Sequence, residues 1–400
     1  MTREDILKEI LSLKGNNLLL ELPTGVGKTK LSIEKIKQLK VQNLLLVVNR
    51  TVHKQNWIDE FNKWWKNRNI NITITTYVSL PKYKGIYDAA IYDEAHHLSD
   101  RCREALCDFN IKYNILLSAT VNNELKDKLT EVFDNLVVYK KTLKSVIDSE
   151  ILPEPKVILL PLHLKTGVPT EVIIKNPKAK GRIIESSWAM RWSYMRQRTN
   201  TVRIYCTETQ YLNNLDSNID YWKSRYMRTR SEMCKNKWLR LCNDRLKWLS
   251  DKKVSCVKEI LDLLKDYRTL TFCNSIEQTE LLGKYNINSK NKNSLNYLQL
   301  FNEGVINHIT ACNCLNEGIN LYNCQVGIYN NLNSSETIVT QRIGRLLRHK
   351  EPIIIIPYFV HTREEELINK MKENFNESLT KVINNITEIK DEINNRPNYS

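Results

Sequence analysis

The sequence has no apolar run long enough to cross a membrane. Its N-terminus, Met-Thr-Arg-Glu-Asp, is charged and then amphipathic, without the apolar core of a signal peptide. None of its ten cysteines are spaced C-x-x-C, and the tightest pair is Cys312-x-Cys314. No Cys or His pair has the spacing of a zinc site. These absences exclude a disulfide frame, a zinc module and a membrane partner, and lead to an expectation of reduced thiols in the cytoplasm. No internal repeat is visible.

Acidic charge is also short. Against 60 Lys and Arg stand 45 Asp and Glu, a net charge of +15. The excess is uneven: between Lys165 and Ser255, twenty Lys and Arg face eight acids, a net of +12. That segment holds Trp188, Trp192, Trp222, Trp238 and Trp248, five of the eight tryptophans. Basic residues interleaved with aromatics fit a nucleic-acid surface that neutralises phosphates and stacks bases. An ordinary basic helical segment with core tryptophans is the competing reading.

Residues 22–29 read Leu-Pro-Thr-Gly-Val-Gly-Lys-Thr. An apolar run, Asn17-Leu-Leu-Leu-Glu21, precedes them, and a helical pattern, Leu31-x-Ile33-x-x-Ile36-x-x-Leu39, follows. Strand, glycine-rich turn and helix make the context of a phosphate-binding loop. Thr24, Gly25, Val26, Gly27, Lys28 and Thr29 are the candidate cradle, with backbone N–H groups and a helix N-terminus turned to the phosphates. Lys28 would reach the β- and γ-phosphates and Thr29 would offer its hydroxyl to Mg²⁺. The first glycine of the longer pattern is replaced by Leu22.

Asp88-Ala-Ala-Ile-Tyr-Asp93 reads as a buried strand that ends in two carboxylates, Asp93 and Glu94. Adjacent carboxylates at a strand end repel unless a cation lies between them. Asp93 is the candidate metal ligand and Glu94 the candidate general base for water. His96 is expected to relay hydrogen bonds; His97 reads equally well as a surface histidine.

Candidate strands at 17–22, 43–48, 70–75, 88–92, 114–118 and 136–139 alternate with helical patterns, the signature of a doubly wound parallel α/β domain. A bend at Pro153-Glu-Pro155 precedes a second domain, whose rhythm runs through 269–273, 306–311, 325–330 and 352–357. Residues 165–235 interrupt it and are expected to be helical. From about 362 the chain reads as a charged helix. The expected division is 1–150, 151–362 with the insert at about 165–235, and a helical tail at 363–400.

The remaining motifs, taken in order, resemble those of superfamily 2 helicases of the DEAH group, over nearly the whole chain. Val47–Trp57 looks like motif Ia, Ile74–Leu80 like motif Ib, and Ser118-Ala-Thr120 like motif III. Thr269–Glu277 looks like motif IV, Ile309–Asn320 like motif V, and Gln341-Arg-Ile-Gly-Arg-Leu-Leu-Arg348 like motif VI. Ser-Ala-Thr alone is common; eight motifs in the right order, each beside a candidate strand, are specific. Val138–Pro155 resembles the interdomain connector of the branch that holds the UvsW, XPB and type III restriction motors, and the Asn-, Lys- and Ile-rich composition is compatible with a phage or bacterial source.

The resemblance implies two tandem RecA-like parallel-sheet domains with a basic helical insert in the second. It implies ATP and Mg²⁺ as cofactors, although only sixteen residues precede the first strand and none spells an adenine-reading R-x-x-Q. Arg345 and Arg348 would be arginine fingers and Gln341 would read the γ-phosphate. Gly318 and Asn320 would approach the nucleotide, though Asn316 and Asn320 stand where relatives often have aspartates. His96, Ser118 and Thr120 would couple hydrolysis to movement. Arg50, Thr76, Ser79, Asn274 and Thr310 are the candidate nucleic-acid contacts; Thr76 and Ser79 read equally as turn formers.

The function implied is an ATP-dependent DNA helicase or translocase that remodels duplex or branched DNA, in repair, recombination or replication, with proteins of those processes as further partners. An RNA helicase and a nucleic-acid-binding ATPase switch without unwinding are the alternatives. The insert is expected to grip the duplex or the fork.

Overall fold

The structure, a computed structural model, describes residues 1–167, 170–175, 190–191, 201–312, 321–332 and 342–394. The first domain strings together α1 (Arg3–Ser12), β1 (Asn17–Glu21), α2 (Lys28–Gln38), β2 (Asn43–Val48), α3 (Thr51–Trp64), β3 (Asn71–Thr76), β4 (Gly85–Tyr92), α4 (Asp100–Leu106), β5 (Phe109–Ser118), α5 (Asn123–Thr130), β6 (Val137–Lys140) and α6 (Leu143–Asp148). Its six strands are all parallel, in the order β3-β2-β4-β5-β1-β6.

The strands are apolar on both faces because helices cover both faces. Leu20, Leu44, Leu46, Ile91 and Leu117 pack on one side with Ile6, Ile33 and Phe61; Leu19, Leu45, Val47, Ala90 and Leu116 pack on the other with Leu98 and Leu129. Each such side chain, once buried, contributes about 1.5–3 kcal/mol.

The second domain comprises β7 (Lys156–Leu162), β8 (Thr170–Lys175), β9 (Met190–Arg191), β10 (Thr201–Cys206), α7 (Glu208–Thr229), α8 (Glu232–Leu263), β11 (Thr269–Cys273), α9 (Ile276–Leu282), β12 (Asn286–Ile287), α10 (Ser294–Asn302), β13 (His308–Cys312), β14 (Val326–Tyr329), β15 (Ile353–Phe359), α11 (Arg363–Lys372), β16 (Thr380–Val382) and α12 (Glu388–Asn394). Its main sheet is also parallel, in the order β12-β13-β11-β14-β15-β7-β16.

Two expectations from the sequence need correction. The insert is not helical throughout: β8, β10 and β9 form a small antiparallel sheet, and helix begins only at Glu208. The β-branched residues of Val172-Ile-Ile and Val202-x-Ile204 favour strand over helix. Nor is the tail one helix. After α11 the chain returns as β16, which pairs with β7 at the sheet edge, before α12.

A buried ion pair ties α8 to α11. Lys253 Nζ of α8 lies 2.6 Å from Glu364 Oε1 of α11, with the two side chains 0% and 3% exposed. Glu364 also accepts from the backbone N–H of Phe359 at 3.0 Å. Nine cysteines are described and all are free thiols. Among the described residues no helix is long and apolar enough to cross a membrane.

Candidate nucleotide site and nucleic-acid face

The first domain's motifs converge at the carboxyl ends of parallel strands, where open α/β sheets form their crevices. The loop between β1 and α2 is held from both sides. Leu22 N–H donates to Ser118 O at 2.9 Å, and Glu21 Oε1 accepts from Val121 N–H at 3.2 Å and pairs with Lys140 Nζ at 2.8 Å. The loop is thereby bound to Ser118-Ala-Thr120.

Gly25 and Gly27 take φ of +99° and +104°, the left-handed region where side chains are strained. A Cβ on Gly27 would meet nothing within 4 Å, so the cradle is open there. Gly27 also caps α2 without a side-chain hydrogen bond, which leaves the helix N-terminal N–H groups for an anion. Thr24 Oγ1 is buried with no hydrogen-bond partner. Lys28 Nζ folds back onto Leu22 O at 3.1 Å. An open turn, an uncapped helix and an adjacent ammonium fit a polyphosphate. Among the described residues no three His, Cys, Asp or Glu gather into a metal cluster. Mg²⁺ fits such a site because it is satisfied by one carboxylate, a hydroxyl, phosphate oxygens and water; Thr29 and Asp93 would be its protein ligands.

Asp93 is oriented by two aromatics. Trp57 of α3, 3% exposed, donates its indole N–H to Asp93 Oδ2 at 2.8 Å. Tyr77 donates its phenol to the Asp93 carbonyl at 2.8 Å. Burial first, then the nearby Asp93 and Glu94 carboxylates, holds the Tyr77 phenol well above its usual value, so it stays a neutral donor. Sequence reasoning missed both. The available signal was the position of Trp57, two helical turns after Arg50, on a face turned to the sheet.

Glu94 adopts φ +52°, a left-handed geometry unusual for a side-chain-bearing residue and often found at functional positions. His96 Nδ1 lies 3.5 Å from Glu94 Oε2 and 3.4 Å from Ser118 Oγ, and Ser118 Oγ donates to Thr120 O at 2.8 Å. His96, Ser118 and Thr120 thus form one chain from the carboxylate to the end of β5. His97 is half-buried, with Nε2 3.0 Å from Asn49 Nδ2, which ties it to the residue before Arg50.

Across the cleft, the helical turn at 342–346 touches the phosphate loop. A Cβ on Gly344 would lie 2.4 Å from Thr24 O, so backbone meets backbone there. Arg345 is 3% exposed beside that contact. Arg348 lies on the surface within electrostatic reach of Glu60 of α3. Gln341, Gly318, Asn320 and Asn316 lie outside the described residues.

The candidate nucleic-acid contacts divide. Arg50 is exposed at the N-cap of α3 and Asn274 is half-exposed at the end of β11. Thr76 and Ser79 bond to one another, Oγ1 to Oγ at 3.2 Å, with Ser79 N–H also donating to Thr76 Oγ1 at 3.3 Å, which is the turn-forming role. Thr310 is a correction: it is fully buried in β13 and its hydroxyl donates to Thr279 O at 2.9 Å, so it presents nothing to a strand.

Residues 252–350 match the helicase conserved C-terminal domain family, and residues 3–80 match the type III restriction enzyme, res subunit, family. Over 364 residues the chain is 22% identical to the DNA 3'-5' translocase XPB2 of Sulfurisphaera tokodaii, covering 85% of this chain and 76% of that protein. It is similar in fold to S. cerevisiae Dbp5 bound to RNA and ADP BeF3, with a TM-score of 0.56 at 13% identity over 97% of this chain and 90% of that one. It is also similar in fold to the Pyrococcus furiosus Hef helicase domain, with a TM-score of 0.51 at 13% identity over 92% of this chain and 97% of that one. Both likenesses establish the tandem RecA-like architecture.

Proposed function

We propose that this chain is a superfamily 2 helicase whose ATPase depends on nucleic acid, and that it is a DNA translocase that uses ATP hydrolysis to unwind or remodel duplex or branched DNA. The observation that carries the substrate reading is the similarity to a DNA 3'-5' translocase over 85% of the chain. Two features support a motor over a static binder. The phosphate loop and the 342–346 turn meet backbone to backbone at Thr24 and Gly344, and His96, 3.5 Å from the Glu94 carboxylate, bonds on to Ser118 and through it to Thr120.

The residues divide the chemistry as follows. Lys28 leaves Leu22 O for the phosphates, and the first N–H groups of α2 take the remaining negative charge. Thr29 and Asp93 would hold Mg²⁺, which would supply charge neutralisation to the phosphates. Glu94 takes a proton from the attacking water, and His96 keeps that carboxylate oriented. Arg345 and Arg348 bring positive charge from the second domain, an effect on the order of 10³–10⁵ in rate for arginine fingers generally. Hydrolysis removes the bridge between the domains, so the cleft opens and the strand on their common face is moved.

ATPase stimulation by single-stranded DNA, forked DNA and RNA at one salt concentration tests the reading. Stimulation by DNA, lost in Lys28→Ala, is expected. Stimulation by RNA alone would make the chain an RNA helicase. Turnover that survives Lys28→Ala would remove the enzyme assignment altogether. A stimulated ATPase that never separates a labelled fork or displaces a bound protein would leave the switch alternative.

A further inference from the structure

The turn after β3 and the carboxylate pair after β4 lie on either side of β2. Tyr77 N–H donates to Val48 O at 3.1 Å, and Asp93 N–H donates to Val47 O at 2.9 Å. The Tyr77 side chain spans the gap between them. Tyr77 is 4% exposed, and its hydroxyl donates to the Asp93 carbonyl at 2.8 Å.

That carbonyl belongs to the planar peptide unit that joins Asp93 to Glu94. Glu94 leaves this unit at φ +52° and ψ +59°. Such a left-handed conformation persists only where its surroundings hold it. The phenol fixes the peptide plane, and the plane sets the direction in which the Glu94 side chain departs. The backbone of Tyr77 is itself held, because Cys102 Sγ donates to Tyr77 O at 3.2 Å. A buried phenol needs an acceptor, and many carbonyls would serve for packing alone. This one precedes the strained residue.

The backbone of Tyr77 lies among the candidate strand contacts. It belongs to the Thr76–Ser79 turn, beside Val78, which is 83% exposed. Val48, which accepts from its N–H, is two residues before Arg50. A second link runs beside the first. Asn49 Nδ2 lies 3.0 Å from His97 Nε2, and the His97 ring lies 6.1 Å from Tyr77 and 4.3 Å from His96. Both links start beside Arg50 or in the turn, and both end within three residues of Glu94.

We infer that Tyr77 is a positioning residue through which a strand bound at the Thr76–Ser79 turn sets the aim of the Glu94 carboxylate at the attacking water. A phosphate seated on the turn stiffens it. Tyr77 follows because it shares that backbone, and the Asp93–Glu94 peptide follows the phenol. A misplacement of about 1 Å can cost about 10² in rate, so a small shift suffices. The inference rests on the reading of this chain as a nucleic-acid-stimulated ATPase. It adds the residue that carries the stimulation, and it holds for DNA and RNA alike.

The test compares the full chain with Tyr77→Phe, which keeps the ring and removes the donor. Steady-state ATPase is measured without nucleic acid, with single-stranded DNA and with RNA, beside strand binding by anisotropy and a thermal melt. The ratio of stimulated to unstimulated kcat is expected to fall about 10-fold, within the range usual for outer-shell partners of a metal site. The KM for ATP and the affinity for the strand are expected to match wild type. Ser79→Ala, made in the turn itself, is expected to lower the ratio in the wild-type background and to lower it no further in Tyr77→Phe. A wild-type ratio in Tyr77→Phe, whether or not turnover as a whole falls, would make Tyr77 a structural support and overturn the inference. Losses that multiply in the double variant would do the same. A wild-type chain whose ATPase no nucleic acid stimulates would remove the motor reading as well, which separates the two failures.

Discussion

The indole N–H of Trp57 donates to Oδ2 of Asp93 across 2.8 Å. Trp57 sits on the helix that begins at Arg50, a candidate strand contact, and Asp93 is the candidate metal carboxylate. One helix therefore joins the candidate nucleic-acid contact to the candidate metal carboxylate.

Trp57→Phe keeps the buried ring and removes the donor. Groups that orient a metal-binding carboxylate typically contribute 10–100-fold to metal affinity or activity. The variant should need roughly 10-fold more Mg²⁺ for half-maximal ATPase, with its melting temperature within a few degrees of wild type. A Mg²⁺ titration of nucleic-acid-stimulated ATPase, run beside a thermal melt, checks this; an unchanged Mg²⁺ midpoint would reduce Trp57 to a packing residue.

Gly344→Ala places a methyl where the Thr24 carbonyl lies, 2.4 Å from the ideal Cβ. The two halves of the site should then stand apart, and a misplacement of about 1 Å can cost about 10² in rate. Stimulated kcat should fall by that order while DNA binding without nucleotide is retained. Single-turnover ATP hydrolysis together with anisotropy separates the two effects.

Lys253→Met strands a buried Glu364 carboxylate. Removing one partner of a buried pair generally costs about 3–5 kcal/mol, whereas replacing both can be neutral. Urea denaturation of the second domain should show that loss for Lys253→Met, with most of it restored in Lys253→Met/Glu364→Leu. No recovery in the double variant would mean that packing, not the stranded charge, sets the cost.

His308 on β13 is half-buried, its Nε2 3.2 Å from Thr271 Oγ1, and desolvation lowers its pKa from 6.5 to about 4. The unfolded chain takes up a proton near pH 6.5 that the folded chain refuses until about pH 4. Stability should therefore fall as pH drops through that window, by up to about 3 kcal/mol from this group. His308→Gln should flatten this part of the stability curve between pH 7 and 5. A slope equal to wild type would assign the acid sensitivity to other groups.

Much of the candidate site was legible in the sequence because its parts are local. Gly25, Gly27 and Lys28 lie within one turn, and Asp93 and Glu94 end one strand, so residue type and spacing identify them. The first domain's strands were legible because they are continuous apolar runs. The small sheet of the insert was not, since Thr170–Lys175 and Thr201–Cys206 pair across 25 intervening residues in a basic segment. β16 was hidden because three residues form a strand only where the edge of β7 offers hydrogen bonds. Thr310 was misread because a motif position does not say whether a hydroxyl points to solvent or into the α9 helix.

The sequence by itself determined the architecture, in two runs of parallel-sheet rhythm, and it named the candidates for the chemistry: a glycine-rich loop, a carboxylate pair and distant arginines. Only the tertiary structure decided what acts on those parts. The indole on Asp93, the backbone contact between Thr24 and Gly344, and the bond from Gln278 to Asp251 all join residues far apart in sequence. Such contacts depend on how sheets and helices stack, which no local spacing encodes.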